Sequence, residues 1–234
     1  QVVASGLPAD AAEGRRAFAT AGFDPLIVAG DLEQEPFCRE LVAAALARYG
    51  RLDYLVNNAF SFVAKGLDAA RDDFLRSFNV GPFAFALLTQ LAAEPMKRQG
   101  GGAIVNVSSI SAWIAQPNRW TYNMAKGAVA QLTRCAALDL APHRIRVNSV
   151  SPGWIWTREV DKAAGGDRAR FDPIWGQFHM LGRMGHPVEI AGPVLFLLSD
   201  DAAFITGTDL PVDGGYNGLG PEGLGQNTKI AGTK

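Results

Sequence analysis

The chain alternates short apolar runs with longer helical stretches, and few folds accommodate that rhythm. The runs are Leu26-Ile-Val-Ala29, Asp53-Tyr-Leu-Val56, Ala103-Ile-Val-Asn-Val107 and Ile145-Arg-Val-Asn-Ser-Val150. A further strand is expected over Ile205–Val212, and Gln1–Ala4 reads as the end of a strand already under way. Between them, helices are expected over Ala9–Ala21, Pro36–Tyr49, Phe74–Leu91, Thr121–Leu140 and Pro187–Leu198. Pro8 and Gly22 mark the first helix's entrance and exit, and Gly50 stops the second. Strands that are apolar on both sides, spaced by helices, predict an α/β domain whose parallel sheet is covered on both faces. The expected core faces carry Val129, Leu132, Ala136 and Leu140 on one helix, and Ala191, Val194, Leu195 and Leu198 on another.

A length of 234 residues suits one such domain, and 48% hydrophobic against 19% charged residues permits a large core. A net charge of −1 argues against nucleic acid or an anionic membrane surface as the main partner. Cys38 and Cys135 fall in apolar helical segments and read as small buried residues, with no disulfide or metal pairing implied. His143, His179 and His186 show no ligand spacing, so no metal is expected. No stretch of eighteen or more apolar residues and no leader-like segment is visible, which makes the cytoplasm the default location.

The chemistry concentrates between Ser109 and Lys126. Ser109 follows the run 103–107, at the carboxyl end of a strand, and Tyr122 and Lys126 stand four apart at the start of a helix, on one face. An ammonium beside a phenol favours the phenolate and draws its pKa of ~10 toward working pH. A serine hydroxyl at the same point could hold an alcohol oxygen while the phenolate takes its proton. Ser108 and Ser109 are adjacent, and only one can face the site from a strand end.

This constellation resembles the short-chain dehydrogenase/reductase family, in which a serine lies thirteen residues before a Y-x-x-x-K pair, as Ser109 does before Tyr122. Asn57-Asn58-Ala59, Asn79, Ser151-Pro152-Gly153 and Asp213-Gly214-Gly215 fall in the family's order and approximate spacing. The resemblance covers about residues 1–217 and implies a single Rossmann-type doubly wound domain using NAD or NADP, assembled as a homotetramer. It implies a catalytic set of Asn79, Ser109, Tyr122 and Lys126. Tyr122 is then the base, Lys126 lowers its pKa and bonds the nicotinamide ribose, and Ser109 holds the substrate oxygen. The Asn79 carbonyl, in a helix distorted by Gly81-Pro82, would hold a water beside the lysine. Cofactor contacts are implied for Asp31 and Leu32 at the adenine, Asn58 and Ala59 at a strand end, and Pro152, Gly153, Ile155 and Thr157 near the carboxamide. From the residues alone, Asp31 also reads as a helix N-cap and Asn79 as a core asparagine bonded to backbone, each the lesser reading.

Two departures stand out. The family's Gly after the Asn-Asn-Ala motif is Phe60 here, which walls the substrate pocket or shifts the turn. The glycine-rich turn that opens the family's cofactor fold has no counterpart, so a strand, that loop and a helix, roughly forty residues, are expected to be missing before Gln1. Without them tight cofactor binding is in doubt. At the end of the first strand, Ser5-Gly6-Leu7 offers neither acid nor base, leaving NAD against NADP open, and Arg15 and Arg16 read as solvated.

Residues 158–186 correspond to the family's variable substrate lid, and 218–234 form a C-terminal extension, either a loose tail or a reach into a neighbouring subunit's pocket. Gln116 either bonds substrate or caps the following helix. Trp154, Trp156, Trp175, Phe178 and His179 can pack on or bond to a sugar, or simply pack the lid. The expected reaction interconverts a secondary alcohol and a ketone, on a sugar, polyol or other small hydroxyl compound, with Trp154, Gln116 and His179 as substrate contacts. The alternatives are a 3-oxoacyl thioester reductase, for which Arg158, Lys162, Arg168, Arg170 and Arg183 are only scattered charges, and a non-catalytic dinucleotide-binding member. A nucleotide-sugar epimerase would need a larger C-terminal domain.

Overall fold

The computed structural model describes residues 1–220 and residue 223. Most of the C-terminal extension expected at 218–234 therefore lies outside the described residues. Among the described residues, six strands alternate with eight α-helices: β1 Val3–Gly6, α1 Ala11–Thr20, β2 Leu26–Ala29, α2 Glu35–Tyr49, β3 Tyr54–Asn57, α3 Arg71–Phe78, α4 Ala84–Gln99, β4 Gly102–Val107, α5 Trp120–Leu140, β5 Ile145–Pro152, α6 Arg158–Ala163, α7 Arg168–Gly176, α8 Pro187–Leu198 and β6 Asp209–Val212. All ladders are parallel, as strand–helix–strand connections require.

Four strands pair in the order β3-β4-β5-β6, with Tyr54 opposite Ala103, Gly102 opposite Ile145 and Ser149 opposite Asp209. β1 and β2 form a separate pair, Val3 opposite Leu26, and among the described residues no ladder joins β1 to β3. The parallel arrangement is thus divided at that point, where the sequence reading expects a strand to be missing. The strand edges there leave Tyr54 and Val56 54% and 43% exposed, although both belong to an apolar run.

Helices cover both faces of the four-stranded sheet. Ala92, Ala93 and Met96 of α4 and Ala137 and Leu140 of α5 pack on Ile104, Ile145 and Val147. On the other face, Leu197, Leu198, Ile190 and Val194 of α8 meet Ala103, Val105 and Val150. The α8 face is therefore rotated from the expected one. Leu195 is 66% exposed and Ala191 lies outward, because the sheet is met by the 190/194/197/198 stripe. Cys135 is exposed, whereas Cys38 is buried and donates to the Leu32 carbonyl.

The helix expected over Phe74–Leu91 is two helices, running from Arg71 to Gln99 through a π-helical turn, Asn79–Phe83. Pro82 supplies no N–H and Gly81 adopts φ −99°, ψ −109°, so the α-ladder gives way there. α4 continues past Pro95 to Gly100, whose φ of +94° ends it in the left-handed region. The last strand begins at Asp209, later than Ile205. Thr206 and Thr208 are instead engaged with β5, where the Val147 N–H donates to Thr206 Oγ1 and the Thr208 N–H to Asn148 Oδ1.

One polar chain crosses the interior. Asn57 Nδ2 donates to Asn106 Oδ1 at 2.9 Å, Asn106 Nδ2 to Thr133 Oγ1 at 2.9 Å, and Thr133 Oγ1 to the Val129 carbonyl. It links β3, β4 and α5 just beneath the strands' carboxyl ends, where ligands bind in open α/β sheets.

Candidate active site

Ser109 leaves β4 in an extended conformation, and its Oγ accepts the Ser111 N–H at 3.1 Å. Ser108 turns the other way, its hydroxyl donating to the Lys126 carbonyl inside α5. Tyr122 and Lys126 lie in the first two turns of α5, whose start is pinned by Thr121. Thr121 Oγ1 donates to the Val63 carbonyl at 2.6 Å and accepts the Lys65 N–H at 3.1 Å. That tie brings the loop after β3 against the tyrosine. Phe60 and Phe62 meet the Tyr122 ring edge-on, with centroids at 5.4 and 4.8 Å.

Lys126 is buried. Its Nζ donates to the Val107 carbonyl at 2.9 Å and lies 3.9 Å from the Phe60 ring centroid and 5.7 Å from that of Tyr122. Burial lowers its pKa to about 7. Tyr122 moves in the opposite direction to the expectation. Burial raises the phenol, while a side-chain hydrogen bond with Ser109 and the charge of Arg119 pull it back. The nearby charge acting on the phenol is therefore Arg119, a residue the sequence reading passed over. Lys126, desolvated and cupped by Phe60, is itself only partly charged near neutrality.

The remaining expected residues divide. The Asn79 carbonyl accepts the Ala84 N–H across the π-turn, and its side chain donates to Glu33 at 2.8 Å, which supplies the partner a half-buried asparagine needs. Gln116 caps no helix; its Oε1 accepts the Ser111 hydroxyl at 2.6 Å. Asp31 is not the cap of α2, which is Gln34, but closes a tight turn by accepting the Glu33 N–H. The Leu32 side chain packs on the core beside Cys38. Asn58 and Ala59 follow β3, with Asn58 exposed. Pro152 and Gly153 end β5, where Gly153 sits so close to His179 and Asp213 that a Cβ would meet the imidazole Nε2 at 2.8 Å. Gly185 bonds the residues flanking Ile155, leaving the Ile155 N–H outside that bridge. The Thr157 hydroxyl is committed as the cap of α6, accepting the Val160 N–H.

His179 is a correction. It is 4% exposed and packs inward from the 158–186 segment, its Nε2 accepting the Trp154 N–H at 3.1 Å and its Nδ1 facing the Gly176 carbonyl at 3.3 Å. Both ring nitrogens are used by protein backbone, so the imidazole has nothing left for a substrate. Burial lowers its pKa, which keeps it neutral. The wall on this side is aromatic instead. Trp154 stacks on Trp175 at 5.4 Å, and Phe171 packs on the same ring at 4.7 Å. Neither Phe171 nor Phe62 was expected at the site, and apolar residues in irregular segments give no periodic signal to find them by.

The chemistry of this arrangement fits the ribose of a nicotinamide nucleotide. Lys126 has three N–H donors and spends one on Val107, so two remain for ribose hydroxyls. The hydroxyls of Ser109 and Tyr122 meet at the strand end beside it.

Residues 1–217 match the family model described as enoyl-(acyl carrier protein) reductase. Over 190 residues the chain is 40% identical to a cyclopentanol dehydrogenase of Comamonas, covering 80% of this chain and 74% of that protein. It is 39% identical over 193 residues to an L-rhamnose 1-dehydrogenase (NAD(P)(+)) of Sphingomonas, covering 81% and 75%. Among solved structures, a 7α-hydroxysteroid dehydrogenase complexed with NADH and 7-oxoglycochenodeoxycholic acid superposes with a TM-score of 0.84 at 32% identity, over 92% of this chain and 84% of that one. Fold, site geometry and these likenesses together place the chain in the short-chain dehydrogenase/reductase family of NAD- or NADP-dependent oxidoreductases acting on CH–OH groups.

Proposed function

We propose that the protein interconverts a secondary alcohol and a ketone with NAD or NADP, and that its substrate is a sugar, polyol or other small hydroxyl compound. The observation that carries this is the meeting of Ser109, Tyr122 and the buried, donor-rich Lys126 at the carboxyl end of β4. When bound, the nicotinamide takes up or gives the hydride. The chain's own residues do the rest. The Ser109 hydroxyl donates to the substrate oxygen and steadies its developing charge. Tyr122 receives the hydroxyl proton on oxidation and returns it on reduction. Lys126 holds the ribose hydroxyls, which replace solvent around its ammonium and favour its charged form. Asn79 marks the distorted turn beside this lysine. Asp31, Leu32, Asn58, Ala59, Pro152, Gly153 and Ile155 border the expected cofactor path.

Relatives named for cyclopentanol and L-rhamnose support a small secondary alcohol. The thioester alternative finds less support, because four of the five basic residues around 158–186 are already engaged in ion pairs. Arg158 pairs with Asp10 and Glu13, Lys162 with Glu159, Arg168 with Asp172, and Arg183 with Glu189. In the proposal, residues 158–186 form the lid over the substrate. The protein assembles as a cytoplasmic homotetramer, for which exposed Val188, Leu195 and Phe204 offer apolar surface. No helix among the described residues is long and apolar enough to cross a membrane.

The test is Tyr122→Phe, assayed with NAD and NADP against a panel of secondary alcohols. Turnover should fall at least ~100-fold with nucleotide binding retained. Turnover at the parent level would remove the tyrosine from its assigned role.

A further inference from the structure

Arg119 is placed where a solvated surface arginine would not be. It precedes Tyr122 by three residues, at the N-cap of the 21-residue helix α5. Its guanidinium carbon lies 5.7 Å from the Phe62 ring centroid and 5.5 Å from that of Trp154. Phe62 is one of the two rings that meet Tyr122, and Trp154 lies just before the 158–186 segment. The guanidinium is thus held between the two walls of the site, half-buried. Among the described residues it makes no ion pair and no hydrogen bond, although most other basic groups around the site do. Cation–π contact with two rings restricts a guanidinium without using its N–H donors. A free planar fork, oriented by its surroundings, matches a carboxylate with two parallel hydrogen bonds. The positive end of α5 adds to the same field, and no side chain caps its first turn.

We propose that Arg119 selects substrates carrying a carboxylate beside the reacting alcohol or ketone, so that the protein acts on hydroxy or oxo acids in preference to neutral alcohols. The assignment rests on the dehydrogenase reading for its chemistry and narrows the substrate class within it. Trp154 and Phe62 then act as the clamp that keeps the guanidinium in the mouth of the site, and Trp175 backs the clamp by stacking on Trp154.

The experiment uses two matched pairs of ligands that differ in replacing a carboxylate by a hydroxymethyl group: gluconate against sorbitol, and 3-hydroxybutyrate against 1,3-butanediol. Each is titrated calorimetrically into the full chain with saturating NADH and, separately, saturating NADPH, combinations in which no hydride can transfer. In the parent protein the acid of at least one pair should bind about 10- to 100-fold tighter than its neutral partner. Arg119→Gln should erase that ratio, and Arg119→Lys, which keeps the charge but loses the fork, should retain part of it. Equal binding within both pairs, or a ratio unchanged in Arg119→Gln, overturns the assignment. Near-ultraviolet circular dichroism confirms that each variant is folded. Turnover of the same compounds with NAD or NADP is measured separately. An acid preference that depends on Arg119 in a protein without turnover would reject the dehydrogenase reading and leave the carboxylate site standing.

Discussion

Replacing His179 by alanine should loosen residues 158–186, and the structure allows the size of the effect to be worked out. The imidazole is 4% exposed and bridges three pieces of chain: the Trp154 N–H after β5, the Gly176 carbonyl at the end of α7, and the Asp213-Gly214 turn. The Gly176 carbonyl keeps its bond from the His179 main-chain N–H at 2.9 Å in the variant, so one group, the Trp154 N–H, is orphaned. A buried donor without a partner costs about 1–3 kcal/mol, and the space left by the ring adds about 1 kcal/mol or more. A total near 2–4 kcal/mol lowers the Tm of a domain of this size by about 4–16 °C. His179→Gln, which carries an acceptor at similar reach, should recover at least ~1 kcal/mol of this. Thermal denaturation with hydrogen exchange at the Trp154 amide reads both effects. The pH dependence gives a second check. The folded-state pKa of His179 is depressed by burial, so its stabilisation is complete above the unfolded value of 6.5 and is lost as pH falls through the lower folded value. The parent should lose stability as pH falls from 6.5 toward the lower folded value, and the alanine variant should lack this component. A Tm within ~1 °C of the parent, with Trp154 exchange unchanged, would refute the reasoning.

Other predictions follow from the same contacts. Lys126, lowered to about 7 in the ligand-free protein, contributes stability that is complete above its unfolded value of 10.5 and is lost as pH falls through 7. Ligand-free Tm should therefore rise between pH 7 and 9.5 by more in the parent than in Lys126→Met, and parallel curves would contradict the assigned burial. A Cβ at Gly81 would stand 2.4 Å from the Phe60 ring, which itself covers Lys126 and Tyr122. Gly81→Ala should reduce turnover severalfold and Phe60→Gly should restore it in the double variant, whereas additive losses would show that the two positions are not coupled. Arg146 donates to the carbonyls of Leu197, Leu198 and Ser199 at the end of α8, and Arg146→Met should cost about 2–3 kcal/mol in a denaturant titration.

The strands and the catalytic spacing were legible because both are local and periodic. A run such as Ala103–Val107 has one plausible environment, and Tyr122 and Lys126 share a face by the geometry of any α-helix. His179 was misassigned because a histidine among aromatics reads alike whether its nitrogens face a ligand or the backbone. Only the fold brings Trp154 to it from 25 residues away. The direction of the Tyr122 shift was missed for a related reason. Proximity to an ammonium is visible in the spacing, but the burial that discharges the ammonium comes from Phe60, 66 positions earlier. Arg119 went unread because its neighbours Phe62 and Trp154 lie in irregular segments on either side of it in sequence. The late start of β6 depends on hydrogen bonds to partners that a single strand's sequence does not name.

The asparagine chain from Asn57 through Asn106 to Thr133 bears on how the sheet finds its alignment. β4 is apolar on both sides and buried throughout its middle, so oiliness alone distinguishes poorly between neighbouring strand offsets. An amide at Asn106 can be satisfied only when Asn57 stands opposite and Thr133 above, which is the observed pairing of Asn57 with Asn106. A slipped sheet would strand two amides in a dry interior. The chain thus acts as a proofreading device: it penalises misaligned assembly more than it rewards the correct one, and it does so directly beneath the place where Ser109 must emerge from β4.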